Sequence, residues 1–133
     1  MKTILMVLPA LAIVVACSQG MDGATAAEGQ QIFANQCVAC HSAPAEGGAL
    51  ENGLYAPDLT QIAFRNDGVF PRSEVLSKID GYNHGRKGDR VMPEFGALLT
   101  GPDVPVDIEG TLTPTPVPLA SLLLYLEQIQ KPG

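Results

Sequence analysis

The chain has no tryptophan, only three tyrosines and four phenylalanines among 133 residues. So few large side chains make a thin core for a domain of this size, and such a domain gains from a bulky apolar group at its centre. Histidine and cysteine are also scarce, at two and three. One cysteine pair with one left over excludes a disulfide framework. Basic residues number 8 against 14 acidic, a net charge of −6. That balance speaks against nucleic acid or a polybasic membrane contact as the main partner and suits a partner with a basic docking face. There is no internal repeat and no pattern of successive strands. The length allows one ordinary domain. The longest apolar run, Ile4–Ala16, falls short of the ~18 to 20 residues a membrane-spanning helix needs.

What is present at the N-terminus reads as an export signal. Lys2 precedes the apolar run, and "VVAC" places small Ala16 directly before Cys17. This resembles the lipobox of bacterial lipoproteins, which implies cleavage after residue 16 and lipidation of Cys17. The alternatives are ordinary cleavage, after Ala16 or near Ala26, giving a soluble exported form, and a retained anchor, which length and Pro9 disfavour. Every version puts the domain outside the cytoplasm. Cleavage before Cys17 removes Lys2, leaving 7 basic and 14 acidic side chains, a net of about −7. With Cys17 assigned, Cys37 and Cys40 remain as a dedicated pair. The expected organisation is a signal over 1–16, a lipidated cysteine and flexible tether over 17–27, and one folded domain over 28–133.

Four short helices are predicted in that domain. "EGQQIFANQCVACH" carries Gly29, Phe33 and Cys37 on one stripe. "PDLTQIAFRNDG" has Asp58 and Gln61 as a capping pair and Gly68 as a stop. "PRSEVLSKIDG" starts near Pro71, faces Val75, Leu76 and Ile79 one way, and ends at Gly81. "PLASLLLYLEQIQ" opens at Pro118 and repeats leucine at helical spacing. The five prolines from Pro102 to Pro118 predict an extended loop before this last helix.

Chemistry concentrates in "CVACH", Cys37 to His41. A redox dithiol of thioredoxin type needs a βαβ setting, which the pattern lacks. A structural zinc site needs four ligands, and adjacent Cys40 and His41 strain tetrahedral chelation. Covalent haem attachment fits best. Cysteines three apart on a helix face the same way and can form thioethers to one porphyrin, and the next histidine then lies beneath the iron. For the far ligand the candidates are Met92, His84 and tether residue Met21, or an open position. Met92, in "RVMPEFG" 51 positions after His41, is favoured because Pro93 stiffens its backbone and its charged neighbours suit a core methionine poorly.

Across about residues 28–130 the chain resembles the class I c-type cytochromes. "GQQIF" with "CVACH" resembles that family's first helix, "LLLYL" its last, and "VMPEFG" its methionine loop. "APDL" resembles the segment whose proline carbonyl accepts the histidine ring N–H, which implies that role for Pro57. The chain departs from the pattern in a longer loop after His41 and a proline-rich insertion before the last helix. The resemblance implies an all-α small cytochrome c fold, with about four short helices around one covalent haem c. The absence of tryptophan leaves Tyr55, Tyr82, Arg72 and Arg90 as candidates for the haem propionates. A His/Met-ligated iron has no place for substrate and a raised potential. The expected function is therefore a one-electron carrier rather than an enzyme, in a respiratory or photosynthetic-type chain. A fixed relay subunit of a membrane dehydrogenase or oxidase, and a haem enzyme or sensor with an open sixth site, are the alternatives. Expected partners are redox proteins and, through the lipid, a membrane surface on the periplasmic side.

Overall fold

The computed structural model describes residues 23–82 and 92–133. The signal, Cys17, Met21, His84 and Arg90 lie outside the described residues. Helix α1, Ala26–Gln36, begins two residues before the expected domain start. Thr25 is extended there and its hydroxyl accepts from the Glu28 N–H at 3.1 Å, an N-cap. The helix pauses at Cys37 (φ −116°) and resumes as α2, Val38–His41. The long final helix α5, Val117–Gln128, carries Pro118 in its first turn, where no N–H is needed.

Helices α1 and α5 cross at Gly29. A Cβ there would overlap the backbone carbonyl of Ser121 and lie 2.8 Å from the Tyr125 Cβ. The two backbones can approach this closely only where a residue has no side chain. Phe33, one turn on, is buried, with its ring 5.4 Å from that of Tyr125. Ser121, fully buried on α5, accepts from the Thr25 N–H at 3.1 Å and donates to the Glu28 carboxylate at 3.0 Å. Leu122, Leu123 and Leu126 complete the buried face.

The second predicted helix is split. Asp58 caps a single 3-10 turn, Leu59–Gln61, through Thr60, whose N–H and hydroxyl donate at 2.8 and 2.7 Å. The regular helix α3, Ile62–Arg65, follows and is closed by Gly68 (φ +83°). Helix α4, Arg72–Asp80, starts after Pro71 and ends at Gly81 in the left-handed conformation (φ 96°), as its sequence implies. The Arg72 guanidinium forks onto Glu127 at 2.6 and 2.9 Å and donates to the Asp107 carbonyl at 2.8 Å, tying α4 to α5 and to the strand below.

Small hairpins join this helical frame. Strands β1, Gly48–Ala49, and β2, Tyr55–Ala56, pair after the cysteine motif. The segment expected to be a proline-rich extended loop is a hairpin of two six-residue strands, β3, Asp103–Ile108, and β4, Thr111–Pro116. Glu109 and Gly110 turn it with positive φ of 53° and 84°, the geometry of a tight two-residue hairpin turn. The prolines do not break it because of their register. Pro105 faces Pro114, and Pro116 faces Asp103. Both pairs lie an odd number of steps from the hydrogen-bonded pair Ile108–Thr111 beside the turn, where no ladder N–H is required. Val104, Val106 and Thr115 point inward and are buried. Among the described residues the fold is mainly helical, as expected, with five α-helices, of which α1 and α2 divide the first expected helix.

Gly29→Ala should destabilise the domain by about 1–3 kcal/mol, because the added methyl cannot be absorbed by a backbone carbonyl. A urea titration reads this as a lower midpoint at unchanged slope.

Candidate cofactor site

Cys37, at the junction of α1 and α2, is half-buried, and Cys40 on α2 is exposed. Burial, and then the neighbouring Cys40, push the Cys37 thiol up to about 11, so in the haem-free chain it stays protonated and unreactive. His41 closes α2 and is buried. Its Nδ1 lies 3.2 Å from the Pro57 carbonyl oxygen. A carbonyl can only accept, so Nδ1 carries the proton and Nε2 is left as a bare donor atom for a metal.

The backbone between His41 and Pro57 is shaped for this contact. The chain leaves α2 through Ser42 at φ 62°, and the His41 carbonyl accepts from the Gly47 N–H at 3.0 Å. Gly47 also has positive φ, 71°, and a Cβ on it would overlap the Ala56 carbonyl and lie 2.7 Å from the Pro57 carbonyl oxygen. Glycine at 47 therefore lets the Pro57 segment lie against the histidine loop. The Leu59 N–H donates to the Ala45 carbonyl at 2.8 Å and holds the two segments together.

His41, Cys37 and Met92 line one cleft. Cofactor sites have mostly apolar walls with few polar groups. Here Phe33, Leu122 and Leu126 supply one part of the wall, and Leu59, Ile62, Val75, Ile79 and Phe95 supply others. Met92 is half-buried against the core cluster, so its charged sequence neighbours do not keep it out of the interior. Lys78 is the single charged side chain among the described residues that line the cleft. Among the described residues no three His, Cys, Asp or Glu side chains group to hold a metal ion on their own. The donors present are one imidazole nitrogen and one thioether sulfur in apolar surroundings, with a thiol at hand. Such a set fits a metal that brings its own equatorial ligands.

Residues 24–105 match the family described as cytochrome C oxidase, cbb3-type, subunit III. The chain belongs to this family. It is a c-type cytochrome, and its cofactor is covalently bound haem c, used in electron transfer. No curated protein and no solved structure matches the chain. Among the described residues of this cytochrome, no helix is long and apolar enough to cross a membrane.

The candidate propionate partners fare differently from the cleft residues. Arg72 is committed to Glu127 and Asp107. Tyr55 and Tyr82 are 68% and 85% exposed. Lys78 is not among the candidates drawn from the sequence, although 75, 78 and 79 share one face of α4 and two of them are apolar wall residues.

In the haem-free protein, iodoacetamide at pH 8 should modify exposed Cys40 at least tenfold faster than Cys37, whose thiol is held protonated by burial. Peptide mapping after short exposure measures the two rates.

Proposed function

We propose that this cytochrome is a single-haem, class I electron carrier that works outside the cytoplasm. In this reading Cys37 and Cys40 hold the haem through thioethers, His41 is one axial ligand and Met92 the other. The observation that carries it is the shared cleft: His41, Met92 and Cys37 all line one apolar space. Bound haem supplies a reversible one-electron step at iron.

The chain's own residues determine what that step can be used for. Pro57 orients the His41 ring and makes its Nε2 a stronger donor. Met92 would hold the iron from the other side with a thioether, which would favour the ferrous state and raise the potential. With His41 and Met92 both bound there would be no site for a substrate, and the role would be transfer rather than chemistry. The apolar wall would exclude water from the iron's surroundings. Lys78, at the cleft, is suited to pair with a haem carboxylate, which would be costly to desolvate alone. Cys40 is exposed, and a haem edge attached there would give electrons a route in and out.

The remaining elements of the reading concern address and partners. Residues 1–16 are a signal, Cys17 is lipidated, 17–27 form the tether and 28–133 the cytochrome domain. A multiply acylated cysteine confines the carrier to a membrane surface on the periplasmic side. There it meets redox partners whose docking faces are basic, complementing the chain's net acidic charge. The family description, an oxidase subunit, favours a second reading, in which the domain is a fixed relay within a membrane oxidase. Purification in mild detergent separates the two: a constant ratio to one partner through successive columns selects the relay, and a free monomer selects the shuttle.

Met92→Ala in the haem-loaded protein should abolish the far-red ferric haem–methionine band and allow carbon monoxide to bind the reduced iron. Retention of the band in that variant would exclude Met92 as the ligand. Cys17→Ser should move the protein from the membrane to the soluble fraction, and persistence at the membrane would argue against a lipid there.

A further inference from the structure

Two glycines bring the end of α4 and the segment after Met92 into contact. Gly81, which caps α4, faces Glu94: a Cβ on Gly81 would lie 2.5 Å from the Glu94 Cγ and 2.8 Å from its Cβ. Gly96 faces α4 in return. A Cβ there would overlap the Asp80 carboxylate and lie 2.8 Å from the Asp80 carbonyl oxygen. These separations are well inside ordinary van der Waals contact of ~3.5–4.0 Å. Between the two glycines the Phe95 N–H donates to the Ile79 carbonyl at 2.9 Å, joining the loop to the last turn of α4. Ile79 and Phe95 both line the cleft together with Met92.

The contact has physical consequences for the methionine. The last carbonyls of a helix lack partners within the helix. Here one is satisfied by the loop, and another accepts from the Gly81 N–H at 3.0 Å. Downstream, the Phe95 carbonyl accepts from Leu98 and Leu99, and Leu99 is buried in the core. Residues 94–96 are thus fixed on both sides, three residues from the sulfur, with Pro93 limiting the backbone in between.

We infer that this reciprocal clasp, Gly81 on Glu94 and Gly96 on Asp80 around the Phe95–Ile79 hydrogen bond, positions Met92. The end of α4 then sets how firmly the sulfur holds the iron. The inference rests on the reading of Met92 as axial ligand. Gly81, Phe95 and Gly96 are positioning residues, since none of them need touch the iron. Gly96 is the sharper probe. It is outside the left-handed region, so alanine accepts its backbone, and the three atoms nearest its methyl all belong to Asp80.

The test uses the haem-loaded full chain. Added imidazole competes with the methionine for ferric iron, so its apparent affinity reports the fraction of time the sulfur is off. Gly96→Ala should raise imidazole affinity at least tenfold and weaken the far-red band. Glu127→Gln, which breaks the fork at the far end of α4, should leave affinity within twofold. Equal changes in the two variants, or no change in Gly96→Ala, would overturn the clasp. Should Gly96→Ala fail to load haem, the wild-type protein gives the same answer by linkage. Saturating imidazole should speed exchange of the Phe95 amide at least tenfold, and unchanged protection would overturn the proposal. A wild-type protein with no far-red band would refute the Met92 reading itself, which is a separate outcome.

Discussion

The structure depends on the close crossing of α1 and α5 at Gly29. That contact brings the Ser121 carbonyl against a residue with no side chain and places Phe33 beside Tyr125. The polar lock of Thr25, Glu28 and Ser121 fixes the start of α1 against the same helix. Cys37 then emerges at the end of α1, directed toward a wall built from Leu122 and Leu126 of the partner helix. The position of the attachment motif is therefore a consequence of helix packing two turns earlier. A side chain at 29 would separate the helices and move the motif relative to its wall.

The composition and the cleft explain each other. A chain without tryptophan and with four phenylalanines cannot fill its own centre generously. The side chains that would normally meet across a core line an open space here. A rigid apolar ring in that space would complete the core while protein groups hold its metal. The same group thus serves stability and function, which accounts for a domain of this size with so few large residues. Cys37 is half-buried in this cleft, and the His41 ring is held by the Pro57 carbonyl.

The proposed haem attachment is legible in the sequence because thioether bonding to one porphyrin demands fixed local spacing. Cys37, Cys40 and His41 fall within one five-residue stretch, and helix α4 announces both of its ends through Pro71 and Gly81. The hairpin at 103–116 was misread because three prolines argue against strands unless their register is known. Register is a property of pairing, and no single segment reveals it. The second helix was overextended because Asp58 caps through Thr60 rather than Gln61, which delays regular helix to Ile62. The glycine contacts at 81 and 96 are hidden for a related reason. Each acquires meaning only when α4 meets a segment more than ten residues away.

The central claim is that two side chains of this chain hold both axial positions of one haem. The ferric absorption spectrum of the native protein at neutral pH, followed by exposure of the reduced form to carbon monoxide, tests it most directly. The account predicts a far-red haem–methionine band and no rapid carbon monoxide binding. A spectrum without that band, with carbon monoxide bound within the mixing time, would contradict it.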